Sequence, residues 1–195
     1  LGRKRAIAAV SRIRDGTIEV GETRRAPIRD FGDAPKLDHF YGRETELKVM
    51  DHFMETESRV LVVLGNRGYG ATALTRKFLE TQDEDDCIWV TLSPGKTARH
   101  LEDAIVNFGK GINRNAGSLA DVLALDNCIL AFDDYFDVGE DVVEFFSDLV
   151  EAEGQAKIVI SARQETPAYN WFYQKEQVDR GEYSLGNARF DTSTS

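Results

Sequence analysis

Cysteine is scarce in this sequence of 195 residues: only Cys87 and Cys128 are present, and the three histidines, His39, His52 and His100, stand apart from them. Such spacing supports neither a disulfide framework nor a zinc site, and it fits a reducing cytoplasm. Proline is scarce too, at four residues, and with 42% hydrophobic and 10% aromatic content this excludes collagen-like, low-complexity and wholly disordered chains. No apolar run approaches the roughly 20 residues that span a bilayer. The N-terminal stretch Leu1 to Arg14 is basic but has no apolar core long enough for a signal peptide. A soluble, cytoplasmic chain without a membrane partner is expected, with one principal core plus an arm.

Positive charge is in deficit, with a formal net charge of -10, but unevenly so. Residues 1–36 carry nine Lys/Arg against five Asp/Glu, a balance of +4, and residues 37–195 carry the remaining -14. An acidic body repels a phosphate backbone, so DNA is expected as a partner only through the basic arm or an upstream domain.

Residues 1–14 show a helical pattern (Ile7, Val10, Ile13) and residues 17–20 alternate like a short strand, which reads as the tail of something upstream. Residues 21–39 are polar, contain Pro27 and Pro35 and show no period; the division expected is an arm and linker over 1–39 and a folded domain over 40–195. From residue 44 to 57, Leu47, Met50, Phe53 and Met54 share one helical face. Continuous apolar runs follow at Val60–Leu64, Cys87–Leu92, Cys128–Phe132 and Lys157–Ser161, suiting strands buried on both faces, with a weaker fifth at Glu182–Leu185 after the aromatic segment Tyr169–Tyr173. Helical patterns lie between them at 73–80, 97–108, 118–125 and 139–153. This alternation predicts an α/β three-layer sandwich with a five-stranded, largely parallel sheet and Val60–Leu64 in its interior.

Directly after that first strand comes Gly65-Asn66-Arg67-Gly68-Tyr69-Gly70-Ala71-Thr72-Ala73, opening a helix. It fits the phosphate-loop pattern G-x-x-x-x-G-K-[ST] except that Ala71 stands at the lysine position. Glycines let such a loop turn its amides toward phosphate oxygens, and the helix N-terminus adds partial positive charge. The Thr72 hydroxyl would coordinate Mg2+; the missing lysine would neutralise the β- and γ-phosphates, and Arg67 is expected to face solvent. An ordinary glycine-rich turn is the competing reading. Against it stands Cys128–Asp134, an apolar strand ending in two acids, in which Asp133 would hold Mg2+ and Asp134 would orient or deprotonate the attacking water. The strand at 157–161 runs into Ser161-Ala162-Arg163, whose arginine is placed to reach a γ-phosphate.

Together with Phe40-Tyr41-Gly42-Arg43-Glu44-Thr45-Glu46-Leu47, which is similar to the FxGRExEL opening motif, these elements resemble the STAND class of P-loop ATPases, AAA+-related proteins that include NB-ARC domains and many archaeal ATPases. The resemblance runs from residue 40 to about 190. It implies ATP/ADP and Mg2+ as cofactors, an adenine beside Tyr41, Gly42 and Arg43, a sensor role for Arg163, and a sheet order of 5-1-4-3-2. It also implies a homo-oligomer or a protein partner, and an upstream winged-helix domain whose exit would be Leu1–Arg5. The helical lid expected near Tyr183–Gly186 has no counterpart in the sequence, which runs out in Thr192–Ser195.

Three functions compete at this point: a nucleotide-dependent switch with impaired hydrolysis, a degenerate P-loop scaffold, and a DNA-associated AAA+ initiator. Lysine to alanine at the loop position is also the usual substitution for disabling such a loop by design, and every neighbouring position is intact, so an engineered Ala71 stands beside a natural one as a reading.

Overall fold

The structure, a computed structural model, describes residues 25–163 and the strand at 181–184. The readings made for residues 1–20 and for the aromatic segment 169–173 lie outside the described residues. Six strands are present: β1 (Arg29–Asp30), β2 (Val60–Leu64), β3 (Asp86–Thr91), β4 (Cys128–Tyr135), β5 (Lys157–Ala162) and β6 (Gly181–Ser184). All pair in parallel in the order β1-β3-β4-β5-β2-β6. The five strands expected from the apolar runs therefore follow the order 5-1-4-3-2, and β2 lies in the interior between β5 and β6.

The helices are α1 (Glu44–Glu55), α2 (Ala71–Thr81), α3 (Ala98–Ile112), α4 (Leu119–Leu123) and α5 (Glu140–Glu151). Two core clusters form, one for each face of the sheet. Met50, Phe53, Leu74 and Phe78 of α1 and α2 meet Leu61, Val63, Trp89 and Ala131. On the other face, Leu101, Ile105, Val122, Phe146 and Leu149 of α3 to α5 meet Val62, Ile88, Leu130 and Ile160. Strand residues alternate between the clusters because successive side chains point to opposite faces, and burial on both faces is why the strands read as continuous apolar runs. Cys87 belongs to the first cluster and Cys128 to the second, so the two thiols are free and buried on opposite sides of the sheet. Burial pushes the Cys87 thiol up to about 12 and raises that of Cys128 as well.

The expected sheet of five strands gains a sixth, β1, from the segment read as a linker. Its pairing is anchored at Asp86, while Ile28 and Phe31 on either side of it pack on the two core clusters. The Asp86 carboxylate accepts from both terminal nitrogens of Arg25 (2.8 and 2.5 Å) and from the amide of Ile28 (2.7 Å), and Cys87 N donates to Ile28 O at 2.9 Å. From there residues 31–39 form a strap across the domain. Phe31 lies beneath the guanidinium of Arg76 (4.3 Å), Asp33 pairs with Lys96 (3.1 Å), and Ala34 packs on the α1/α2 core.

Candidate functional site

At the carboxyl end of β2 the chain turns sharply. Gly65 N donates to Ala162 O at 3.0 Å, and Tyr69 N closes back on Asn66 O at 3.0 Å. Gly68 and Gly70 have φ of 86° and 83°, the left-handed region that disfavours any side chain, and a Cβ at either would meet nothing within 4 Å. Backbone conformation, not crowding, therefore demands glycine there. Gly70 is the N-cap of α2 and offers no side-chain cap, and the first turn of the helix carries no acidic residue. The first amides of an α-helix have no intrahelical partner, so this end is left as an anion-binding terminus.

Opposite the helix start, Asp133 ends the unbroken buried run of β4 with only 5% of its surface exposed. Thr72 Oγ1 donates to Asp133 Oδ1 at 2.9 Å. Burial raises the Asp133 pKa, against hydrogen bonds from Thr72 and Ser161 that lower it, while the neighbouring Asp134 raises it further. Beneath them the Thr75 and Ser161 hydroxyls share a hydrogen bond of 3.0 Å that ties α2 to β5. Asp134 has φ of 62° within a register irregularity between Phe132 and Tyr135. Its carboxylate accepts from Arg163 Nη2 at 2.5 Å, and the same guanidinium lies 4.2 Å over the Phe136 ring. The two residues assigned catalytic roles thus hold each other across the ends of β4 and β5.

A cavity of about 460 Å3 joins these groups. It is lined by Gly65, Asn66, Arg67, Gly68, Gly70, Ala71, Thr72 and Ala73 of the loop and helix start, and by Asp133, Asp134 and Arg163 of the strand ends. Of the loop positions only Tyr69 is outside the lining. The FxGRExEL-like segment does abut the loop, because Arg43 Nη2 donates to Tyr69 O at 3.0 Å while its Nη1 pairs with Glu46 at 2.7 Å. Tyr41, Gly42 and Arg43 nevertheless do not line the cavity, and Tyr41 is 85% exposed beside His39. In their place stand Pro35, Lys36 and Leu37 of the strap, with Ser161 and Ala162 at the floor. Nothing in the sequence pattern of the strap marks those three residues.

The donor set suits a phosphate with its magnesium. Adjacent ligands of an octahedral ion held at 2.0–2.1 Å lie about 2.9 Å apart, which is the Thr72–Asp133 oxygen separation. The Asn66 Oδ1 atom is buried in the loop without a hydrogen-bond partner among the described residues. No cluster of three His, Cys, Asp or Glu side chains forms among the described residues, so a divalent ion there would depend on phosphate and water for its remaining ligands.

No known family profile matches the chain. A 69-residue stretch, 35% of the chain, is 33% identical to an uncharacterised WD repeat-containing protein of Nostoc sp., of whose length it spans 6%. Among solved structures, a Walker-type ATPase of Pyrococcus abyssi superposes with a TM-score of 0.52 at 17% identity, covering 83% of this chain and 56% of that one. A chain from an E. coli complex of HORMA, CdnC and Trip13 gives a TM-score of 0.35, too low to carry weight. The chain thus spans a small part of the curated relative and about half of the solved ATPase. With the sheet order and the loop geometry, the likeness to the Pyrococcus protein shows that this chain has the α/β fold of a P-loop NTPase.

Proposed function

We propose that this chain is the ATP/ADP-binding switch domain of a STAND-type regulatory ATPase whose hydrolysis is impaired by Ala71. The observation that carries this reading is the Thr72–Asp133 pair, 2.9 Å apart at the start of a helix whose glycine loop leaves its amides open. Gly68, Gly70 and the first turn of α2 would hold the phosphates, and Thr72 with Asp133 would hold Mg2+. The ion, when bound, neutralises charge on the phosphate oxygens. Ala71 offers only a methyl group, which packs against the α1/α2 core. Phosphoryl transfer relies on electrostatic stabilisation of developing charge, so loss of an ammonium harms hydrolysis more than binding. Arg163 occupies one carboxylate oxygen of Asp134 and draws on its charge, which weakens Asp134 as a base toward water. That pairing, with Ala71, is what favours the second reading, a P-loop scaffold without turnover.

A homo-oligomer or a protein is the partner proposed for the switch, in the cytoplasm, with DNA reached only through an upstream domain. Calorimetric titration with ATP and ADP, with and without Mg2+, together with phosphate release, tests the reading. This chain is expected to bind weakly and hydrolyse negligibly, Ala71→Lys to gain Mg2+-dependent binding and turnover, and Asp133→Ala in that background to lose both. A lysine variant no better than the parent would put the scaffold reading first.

A further inference from the structure

The cavity contains three cationic side chains, Lys36, Arg67 and Arg163, against the carboxylates of Asp133 and Asp134. Arg163 is engaged with Asp134 at 2.5 Å. Neither Lys36 nor Arg67 is paired with a carboxylate among the described residues. Arg67 sits exposed on the outer part of the loop itself, whereas Lys36 comes from the strap on another wall of the cavity.

We propose that Lys36 supplies the phosphate-binding cation that the loop lacks at Ala71, reaching the phosphate chain of a nucleoside di- or triphosphate from the strap. This rests on the nucleotide reading above and extends it to a residue outside the loop. A lysine acts on phosphate as a point charge on a flexible stem, so the place of its ammonium matters and the element that carries it does not. The strap holds Lys36 at the cavity from both sides. Upstream, β1 is fastened by the Arg25–Asp86 pair and Asp33 is held by Lys96. Downstream, Arg43 ties the start of α1 to the carbonyl of Tyr69 in the loop. Pro35, immediately before Lys36, fixes its own φ and restricts the residue preceding it, and Leu37 lines the same cavity. An exposed lysine with no carboxylate partner among the described residues, at the mouth of a cavity that holds two acids and an anion-binding helix end, adds positive charge where a polyphosphate would lie.

The test is the affinity of the full chain for ATP, ADP and adenosine in the presence of Mg2+, with Lys36→Gln, Lys36→Arg and Arg67→Gln compared with the parent. Lys36 is exposed, so its substitution leaves folding intact. Lys36→Gln is expected to weaken ATP binding about tenfold, the size of one charge-assisted hydrogen bond, and to leave adenosine binding unchanged. Lys36→Arg should keep most of the affinity, the loss should shrink with added salt, and Ala71→Lys should restore ATP binding in the Lys36→Gln background. Unchanged ATP affinity in Lys36→Gln overturns the proposal, as does an equal loss for ATP and adenosine, which would make Lys36 a base contact. So does a loss found only in Arg67→Gln. A parent that binds adenosine no worse than ATP removes the phosphate role as well. One that binds neither overturns the nucleotide reading itself.

Discussion

At position 133 a carboxylate is almost wholly buried, with the Thr72 hydroxyl donating to it at 2.9 Å and Ser161 hydrogen-bonded to it as well. Burial makes its ionised form costly, and its pKa is raised accordingly. A raised carboxylate pKa favours folding below the unfolded value, and that contribution is lost as pH rises through the higher folded value. Asp133→Asn keeps an acceptor for Thr72 and removes the charge. It is expected to raise the melting temperature of the ligand-free domain at neutral pH, with the gap closing as pH falls below the ordinary carboxylate range, while the protective effect of Mg2+-ATP disappears. Thermal unfolding across pH, with and without Mg2+-ATP, checks both. Asp133 was legible in the sequence because an apolar strand ending in acids after a glycine loop is a narrow chemical pattern. Lys36 was not, since its relation to the loop arises only from where the strap crosses the domain, and no local spacing encodes that crossing. Tyr41 illustrates the reverse: the motif around it is clear, yet its ring faces outward at 85% exposure.

Elements were readable in proportion to how much apolar surface they bury. The four long strands announce themselves as continuous apolar runs, and Ser118 with Asp121 marks the start of α4, where both halves of the capping box form. The two-residue strand β1 has no such signal. Arg29 and Asp30 carry charges, and their register on Cys87 and Ile88 follows from the distant Asp86 carboxylate. Helix α2 begins at Ala71, two residues before the start expected from its apolar face, because Gly70 already provides the left-handed cap. A less visible junction lies between α4 and β5, where Gln155 N and Ala156 N both donate to Leu123 O at 2.7 and 2.9 Å. A Cβ on Gly154 would come within 2.4 Å of that same oxygen. Gly154→Ala is therefore expected to destabilise the domain by about 1–3 kcal/mol through forced backbone displacement. Gly117→Ala, whose nearest neighbour would be 4.0 Å away, should stay within about 0.5 kcal/mol. Urea unfolding of the two variants gives the comparison.

For the molecule as a whole, the alternation of apolar runs and amphipathic patterns sufficed for a parallel sheet with both faces covered, since no other layering hides such strands. What it could not reveal is how sequence-distant parts are stitched. Lys157, 2% exposed at the start of β5, donates its three protons to Phe53 O (3.2 Å), Thr56 O (2.7 Å) and Ser58 O (2.6 Å), with its ammonium 4.7 Å from the Phe53 ring centroid. These carbonyls belong to the end of α1 and the turn that follows it, about a hundred residues earlier in the chain. The helix that is synthesised first among the described helices is closed locally by Thr56, whose amide and hydroxyl both donate to Phe53 O, but its end gains the three bonds from Lys157 only once β5 has docked. Closing so long a loop carries an entropic cost that must be met before the contact is rewarded. Hydrogen exchange should then show the amides of residues 53–58, though near the domain's edge, opening only with the sheet as a whole. In Lys157→Met those amides should exchange by local fraying, faster than the interior of β2. If they already fray independently in the parent chain, the order of assembly runs the other way.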